Sequence, residues 1–317
     1  MHSHHSHSGQ YVAHATNTLD EMIQAAIARD FDIFCLTEHM PRLYDENIYP
    51  EEIELNYDVS RLNEIFQNYY NHSVALQQKI NSDDTIKTKI LVGFEIEGID
   101  ENHFNLSNEI FTKNEKFNMT VGSIHFVNKI PIDFNQEYWD LAKKSCNNST
   151  YELFKSYFNL QYQLLQICKP NIVGHFDLIY LFSPANEGPK SENFSIENNW
   201  PKIWSLIIRN IKFIKEYGGL IELNSAALRK GWLTPYPNLE ISLAIKKYGD
   251  SRFCFSDDSH SIAQVGLNYH KLLNYIQNSL KLDKIYYLDL DSDNETIVKT
   301  ASIDDIKSNE KFWKNYN

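Results

Sequence analysis

The sequence predicts an α/β fold whose mainly parallel sheet closes as a TIM-like barrel, and three observations point there. Short apolar runs alternate with amphipathic stretches along most of the chain, the pattern of strands joined by crossover helices. No glycine-rich phosphate loop is present, which argues against an open, doubly wound nucleotide fold. Histidines and carboxylates gather where the strand candidates end, the face on which a parallel barrel collects its chemistry.

Thr18-Leu-Asp-Glu21 has the form of a capping box, and Leu19, Ile23, Ala26 and Ile27 then share one helical face as far as about Arg29. The apolar run 31–36 follows at once, giving a helix-then-strand step. Further strands are expected at 90–94, 120–125, 171–174, 220–223, 253–255 and 285–288, with helices over 59–79, 151–167, 203–217, 239–248 and 266–280. The polar stretch 44–57 and the Asn-, Glu- and Pro-rich stretch 183–200 break the repeat and are expected as surface insertions on a single domain spanning 1–317. The tail after Asp289 is expected to be peripheral.

With 42% hydrophobic and 13% aromatic residues, the 317-residue chain has material for a sizeable core, so disorder is excluded for the bulk. A net charge of -12 without a Lys/Arg block makes nucleic acid a poor partner. A small phosphorylated substrate stays compatible, because bound divalent cations reverse the local sign of an acidic pocket. Cys35, Cys146, Cys168 and Cys254 form no CxxC and read as reduced core thiols. The polar, histidine-rich start and the lack of a long apolar stretch predict a soluble, cytoplasmic protein with no membrane partner.

The first ligand-type cluster is Met1-His-Ser-His-His-Ser-His7, followed by His14. In extended chain alternate side chains share a face, so His5 and His7 reach one metal ion while His14 returns across the next turn. His2 with His4 has the same spacing and stays an alternative, and the run alone equally fits a disordered start. The strand ends shift that balance. They carry His39 in Thr37-Glu-His39, then Glu95, His125, His175 and the pair Asp258 and His260. Each is weak singly, but a parallel barrel gathers them on one face. Nine ligands exceed one ion and imply two or three divalent metals, with zinc, manganese or iron favoured over magnesium by the nitrogen-rich set.

His5-Ser-His7, Thr37-Glu-His39, Gly93-Phe-Glu95, Gly122-Ser-Ile-His125, Gly174-His175 and Asp258-Ser-His260 together make the chain resemble the polymerase and histidinol phosphatase (PHP) superfamily. The runs 7–14, 37–42 and 222–230 bring it closest to the monofunctional histidinol-phosphatase branch. That resemblance implies a distorted (β/α)7 barrel with a trinuclear metal centre. It implies one metal on His5, His7, Glu95 and Asp258, a second on Glu95, His125 and His175, and a third on His14, His39 and His260. It also implies L-histidinol phosphate as the small phosphorylated substrate.

Phosphate ester hydrolysis needs a nucleophile at neutral pH and neutralisation of the transferring group, and clustered metals supply both through a bridging hydroxide. Arg42 and Arg229 are candidates to grip phosphate, since the guanidinium fork suits it. Asp177 and Asp257 are candidates to protonate the leaving group, Asp177 equally to orient a histidine. Glu97 is a candidate contact for the cationic end of the substrate. Two rival readings remain: a nucleotide or oligonucleotide phosphoesterase, and a non-catalytic structural module.

Overall fold

In the computed structural model, which describes residues 1–185, 187–190 and 193–316, seven strands form one sheet in chain order. They are β1 His2–Ser3, β2 Ile33–Leu36, β3 Lys89–Glu97, β4 Met119–Ser123, β5 Ile172–Val173, β6 Leu220–Asn224 and β7 Phe253–Ser256. Every pairing is parallel. The segment after β1 closes the sheet onto the end of β7. The His4 amide donates to Phe255 O at 3.2 Å, the His7 amide donates to Ser259 O at 2.8 Å, and Ser6 pairs in parallel with Ser259.

Crossover helices cover the outside, and several of them begin at a side chain that satisfies an orphan amide of the first turn, whereas Pro201–Tyr217 starts on a proline that has no amide to satisfy. Thr18 caps Leu19–Ala28 in the expected capping box, and Asp58 caps Val59–Asn81. Ser149 and Asn238 cap Thr150–Cys168 and Leu239–Tyr248. Two further helices, Glu101–Lys113 and Gln136–Ser145, lie in stretches where the sequence predicts none. The expected helix over 266–280 begins at Tyr269 and passes at Ile276 into a wider π-helical turn.

The expected strand at 285–288 forms, but outside the barrel. It lies within β8, Lys284–Leu290, which pairs antiparallel with β9, Thr296–Ser302. The barrel takes its seventh strand from the N-terminus instead, where alternating His and Ser give no apolar signal. The hairpin is not peripheral. Leu288 and Leu290 join Ile33, Cys35, Leu91, Met119, Val121, Ile172, Leu220 and Cys254 in the barrel interior. Lys89, the first residue of β3, pairs with Asp289 at 3.1 Å, so the hairpin stoppers the end of the barrel at which the strands begin.

His2 and His4 serve this packing. The His2 ring stacks on Phe255 and Tyr287. His4 Nδ1 lies 2.8 Å from Phe255 O, and its Nε2 accepts the Leu288 amide at 3.0 Å. Both ring nitrogens are thereby spent, and the donor at Nδ1 fixes the neutral tautomer.

The stretch 44–57 folds into a turn at Asp45–Asn47 and a helix at Pro50–Glu54. Of 183–200, residues 186, 191 and 192 lie outside the described residues, and the rest includes a helical turn at Ile196–Asn199. Among the described residues no helix is long and apolar enough to cross a membrane.

Two outcomes follow from the plugged barrel. Leu288→Ala is expected to lower unfolding free energy by about 2–5 kcal/mol, while Val298→Ala, 44% exposed on the partner strand, changes it by less than about 0.5 kcal/mol; urea denaturation compares them. Burial pulls the His4 imidazole down to about 4 from 6.5, against the pull of its bond to Phe255 O. The unfolded chain therefore binds the extra proton between these values, and stability present above pH 6.5 is lost as pH falls to 4. The stability advantage of the wild type over His4→Leu should shrink by roughly 3 kcal/mol across that window, and a constant difference would rule out a buried neutral His4.

Candidate metal centre

The pleat of β3 sets the centre. Side chains alternate across a strand, so Leu91, Glu95 and Glu97 share the inner face, the first in the apolar core and the acids above it. Gly93 lies between them because a Cβ there would meet Met119 O of β4 at 2.4 Å. By the same alternation Glu222 sits above Leu220 on β6.

Glu95 is surrounded by five imidazoles. Its Oε2 lies 3.2 Å from His5 Nε2, 3.4 Å from His7 Nε2 and 3.0 Å from His39 Nδ1. Its Oε1 lies 3.3 Å from His125 Nε2 and 3.1 Å from His175 Nε2. Asp258 Oδ1 approaches His7 Nε2 at 3.5 Å, His5 Nε2 at 3.8 Å and His260 Nδ1 at 3.7 Å. His14 Nε2 closes the ring, 3.1 Å from His260 Nε2. The nine ligand candidates thus meet on one face of the barrel. Their donor atoms form three compact groups: His5, His7 and Glu95; Glu95, His125 and His175; His7, His39 and His260.

A further set of carboxylates holds the imidazoles from behind. Glu222 lies 3.2 Å from His5 Nδ1, Glu38 lies 3.4 Å from His7 Nδ1, and Glu51 lies 3.4 Å from His14 Nδ1. Glu97 reaches both His39 Nδ1 at 2.9 Å and His125 Nδ1 at 3.1 Å. These acids are themselves anchored. Glu38 accepts the Ser8 amide and hydroxyl at 2.9 and 2.6 Å, and Glu222 accepts the His175 amide at 2.6 Å. Sequence reasoning missed Glu38, Glu51 and Glu222 as site residues. The signal for Glu38 was its place beside His39, and for Glu222 its place at a strand end; Glu51 had none.

The inward nitrogens are buried and unsatisfied: His5 Nε2 and His7 Nε2 have no hydrogen-bond partner. Buried polar atoms rarely stay orphaned, and imidazoles backed by carboxylates with free inward nitrogens are the donor set a divalent cation takes. The residues fit the metal. Burial opposes ionisation of Glu95, but His5, His125 and His39 hold its carboxyl well below the usual range. Arg42, with His125 and His39, does the same for the buried Glu97.

The remaining candidates fall in different places. Arg229 lines the cavity above the centre and donates from Nη1 to Asp257 O at 2.5 Å and from Nη2 to Asp258 O at 2.8 Å. It clasps the backbone where Asp258 takes a left-handed φ of 49°. Arg42 is buried outside the cavity lining, 3.0 Å from Glu52 and 3.8 Å from Glu97, over the Tyr49 ring. Glu97 lies behind the imidazoles and not in the lining. Asp257 is buried and accepts Ser3 Oγ, the Ser259 amide and the Gly266 amide at 3.0, 3.2 and 2.6 Å. Asp177 is buried, accepts the Asn238 amide at 2.8 Å, and is pushed up to about 7 by burial. Neither aspartate lines the cavity, which encloses about 530 Å³ and is walled by Tyr49, Glu51, Asp133, Phe134, Leu178, Arg229, Lys230 and Gln264.

Residues 3–226 match the PHP domain family. The chain is 38% identical over 335 aligned residues to a histidinol-phosphatase of Saccharomyces cerevisiae, covering 99% of this chain and 100% of that one. It is 40% identical over 309 residues to a probable histidinol-phosphatase of Schizosaccharomyces pombe, covering 96% and 95%. Among solved structures, a putative histidinol phosphatase from Listeria monocytogenes aligns with a TM-score of 0.69 at 19% identity, over 86% of this chain and 99% of that one. A histidinol phosphate phosphatase from Lactococcus lactis, complexed with zinc, L-histidinol and phosphate, aligns with a TM-score of 0.64 at 19% identity, over 88% and 93%. These two likenesses show the fold.

Glu222, buried behind His5, is open to a direct test. Glu222→Gln should keep the fold and weaken divalent metal affinity by about 10- to 100-fold, read by competition with a chromogenic chelator. Unchanged affinity would remove Glu222 from the centre.

Proposed function

The chain belongs to the PHP domain family, and on that premise we propose that it hydrolyses L-histidinol phosphate to L-histidinol and phosphate, a step of histidine biosynthesis. The reaction class rests on one observation: Glu95 turns each carboxylate oxygen towards a separate set of imidazole nitrogens on the cavity floor. The substrate rests on the near-full-length identity to relatives that carry this activity as their name. The reading takes 1–317 as one catalytic domain, which the packing of the hairpin into the barrel supports. It also takes a cytosolic setting, which the four free cysteines suit.

The three donor groups support two or three divalent ions, with zinc, manganese or iron the best match to nitrogen and carboxylate ligands. His5, His7, Glu95 and Asp258 would hold one, Glu95, His125 and His175 a second, and His14, His39 and His260 a third. Ions bound there supply a nucleophile at neutral pH and offset charge on the phosphoryl group.

The chain's own residues set the stage. Glu222 bonds the outer nitrogen of His5, and Glu38 and Glu97 lie at the outer nitrogens of His7 and His125, with the inner ones turned to the centre. Arg229 and Lys230 bring positive charge to the cavity wall, where a dianionic ester has to settle. Two nitrogens of Arg229 are spent on backbone carbonyls, which leaves its remaining donors for phosphate. Arg42 supplies the countercharge for Glu97, and both act in this reading by positioning His39 and His125. Asp257 and Asp177 brace the site: the one pins the Asp258 to His260 loop, the other the Asn238 turn.

Phosphate release from L-histidinol phosphate should far exceed that from nucleoside monophosphates, should stop on chelation and should return with manganese or zinc. Asp258→Asn should cost at least ~100-fold in kcat/KM, more than the loss of an outer partner does. Equal or faster turnover of nucleotides would overturn the substrate, and full activity after chelation would overturn the metal chemistry.

A further inference from the structure

The cavity above the metal centre has a second wall whose chemistry differs from that of the floor. Its lining includes the carboxylates of Glu51, Glu95, Asp133 and Asp258. Glu95 and Asp258 face the imidazoles of the floor at 3.8 Å or less, and Glu51 faces His14 at 3.4 Å. Asp133 is different. Its Oδ1 accepts the Tyr49 hydroxyl at 3.1 Å, and among the described residues no Lys, Arg or His nitrogen lies within ion-pairing distance of it.

The position of this carboxylate is fixed from both sides. The preceding residue, Ile132, is fully buried and donates its amide to His125 O at 2.9 Å, which ties the segment to a residue of the floor. Tyr49 is buried too, its ring packed edge-on to Phe126 and stacked under the Arg42 guanidinium. An acceptor held in place before the ligand arrives spends little entropy on binding. Arg229 and Lys230 line the same cavity but neither pairs with Asp133, so this half-buried carboxylate keeps lone pairs that a charged donor satisfies best.

We propose that Asp133, positioned by Tyr49, is the subsite for the ammonium group of the substrate, holding the amino-alcohol end while the floor takes the phosphate. This rests on the reading that the ester is L-histidinol phosphate, whose primary amine is protonated at neutral pH. Glu51 is the other wall carboxylate, but its turn towards His14 commits it to the metal side. The subsite therefore separates amine-bearing monoesters from the many that carry only a phosphate.

The test is the ratio of kcat/KM for L-histidinol phosphate to that for phenyl phosphate, which has no amine, in wild type and in Asp133→Asn with metal content verified. The ratio should fall about 10- to 100-fold, chiefly through KM, and Kd for the product L-histidinol, measured by calorimetry, should rise by a similar factor. Tyr49→Phe, which removes only the positioning hydroxyl, should give a smaller fall in the same direction. A ratio and a Kd unchanged in Asp133→Asn would overturn the subsite while leaving the functional reading standing. Wild-type protein that cleaves phenyl phosphate but not L-histidinol phosphate would instead overturn the functional reading itself.

Discussion

A single carboxylate, Glu95, buried among five imidazoles, is the constraint on which the rest of the site depends. Its two oxygens lie 3.0–3.4 Å from nitrogens of His5, His7, His39, His125 and His175. Burial alone would favour the neutral acid, and the surrounding rings, His5, His125 and His39 foremost, hold Glu95 ionised. The outer acids sort the rings: Glu222, Glu38 and Glu97 lie at the far nitrogens of His5, His7 and His125, while Glu97 and Glu95 share Nδ1 of His39. Glu97 serves two rings and so needs its own countercharge, which explains why Arg42 is buried beside it and does not open onto the cavity.

The barrel makes this arrangement inexpensive to build. Parity along a strand is enough to sort the N-terminal histidines into two jobs. His5 and His7 share one face of the extended segment and point to the centre, while His2 and His4 share the other and pack beneath it. The second job matters as much as the first. His4 bonds both the last barrel strand and the plugging hairpin, so the segment that carries two ligand candidates is anchored on its opposite side. A ligand pair near a chain terminus would otherwise fray, since the ends of most domains are poorly ordered unless tied down.

Much of this was legible in the sequence, and the parts that were not share a cause. Strand ends bearing His39, Glu95, His125, His175, Asp258 and His260 announce themselves because each ligand follows directly on an apolar run. What sequence cannot announce is a relation between segments that lack such a run. The His-Ser alternation of β1 carries no hydrophobic period, so the seventh barrel strand was expected at 285–288, where an apolar run does exist but serves as the plug. Arg42, expected at the phosphate by its closeness to His39, is claimed by Glu52 and Glu97 from other elements. Glu51 belonged to a stretch expected as surface, yet that stretch lends both Tyr49 and Glu51 to the cavity wall. Distance along the chain was a fair guide to ligands and a poor one to the groups that orient them.

The placement of charge across the cavity follows from the same logic. An acidic chain with a net charge of -12 has to admit a phosphate dianion, and the site residues add to the problem with Glu95, Asp258, Glu38, Glu97 and Glu222 all buried. Arg229 and Lys230 at the cavity wall are few against these acids, and Arg42 is held away from the cavity by Glu52 and Glu97. Divalent ions held by the three donor groups would reverse the sign where the phosphate has to sit. The wall carboxylates Glu51 and Asp133 would then act on the other end of the ligand, favouring a phosphate ester that also bears an ammonium group. Acidity that would repel an ordinary phosphomonoester becomes, for a zwitterionic one, the source of its alignment.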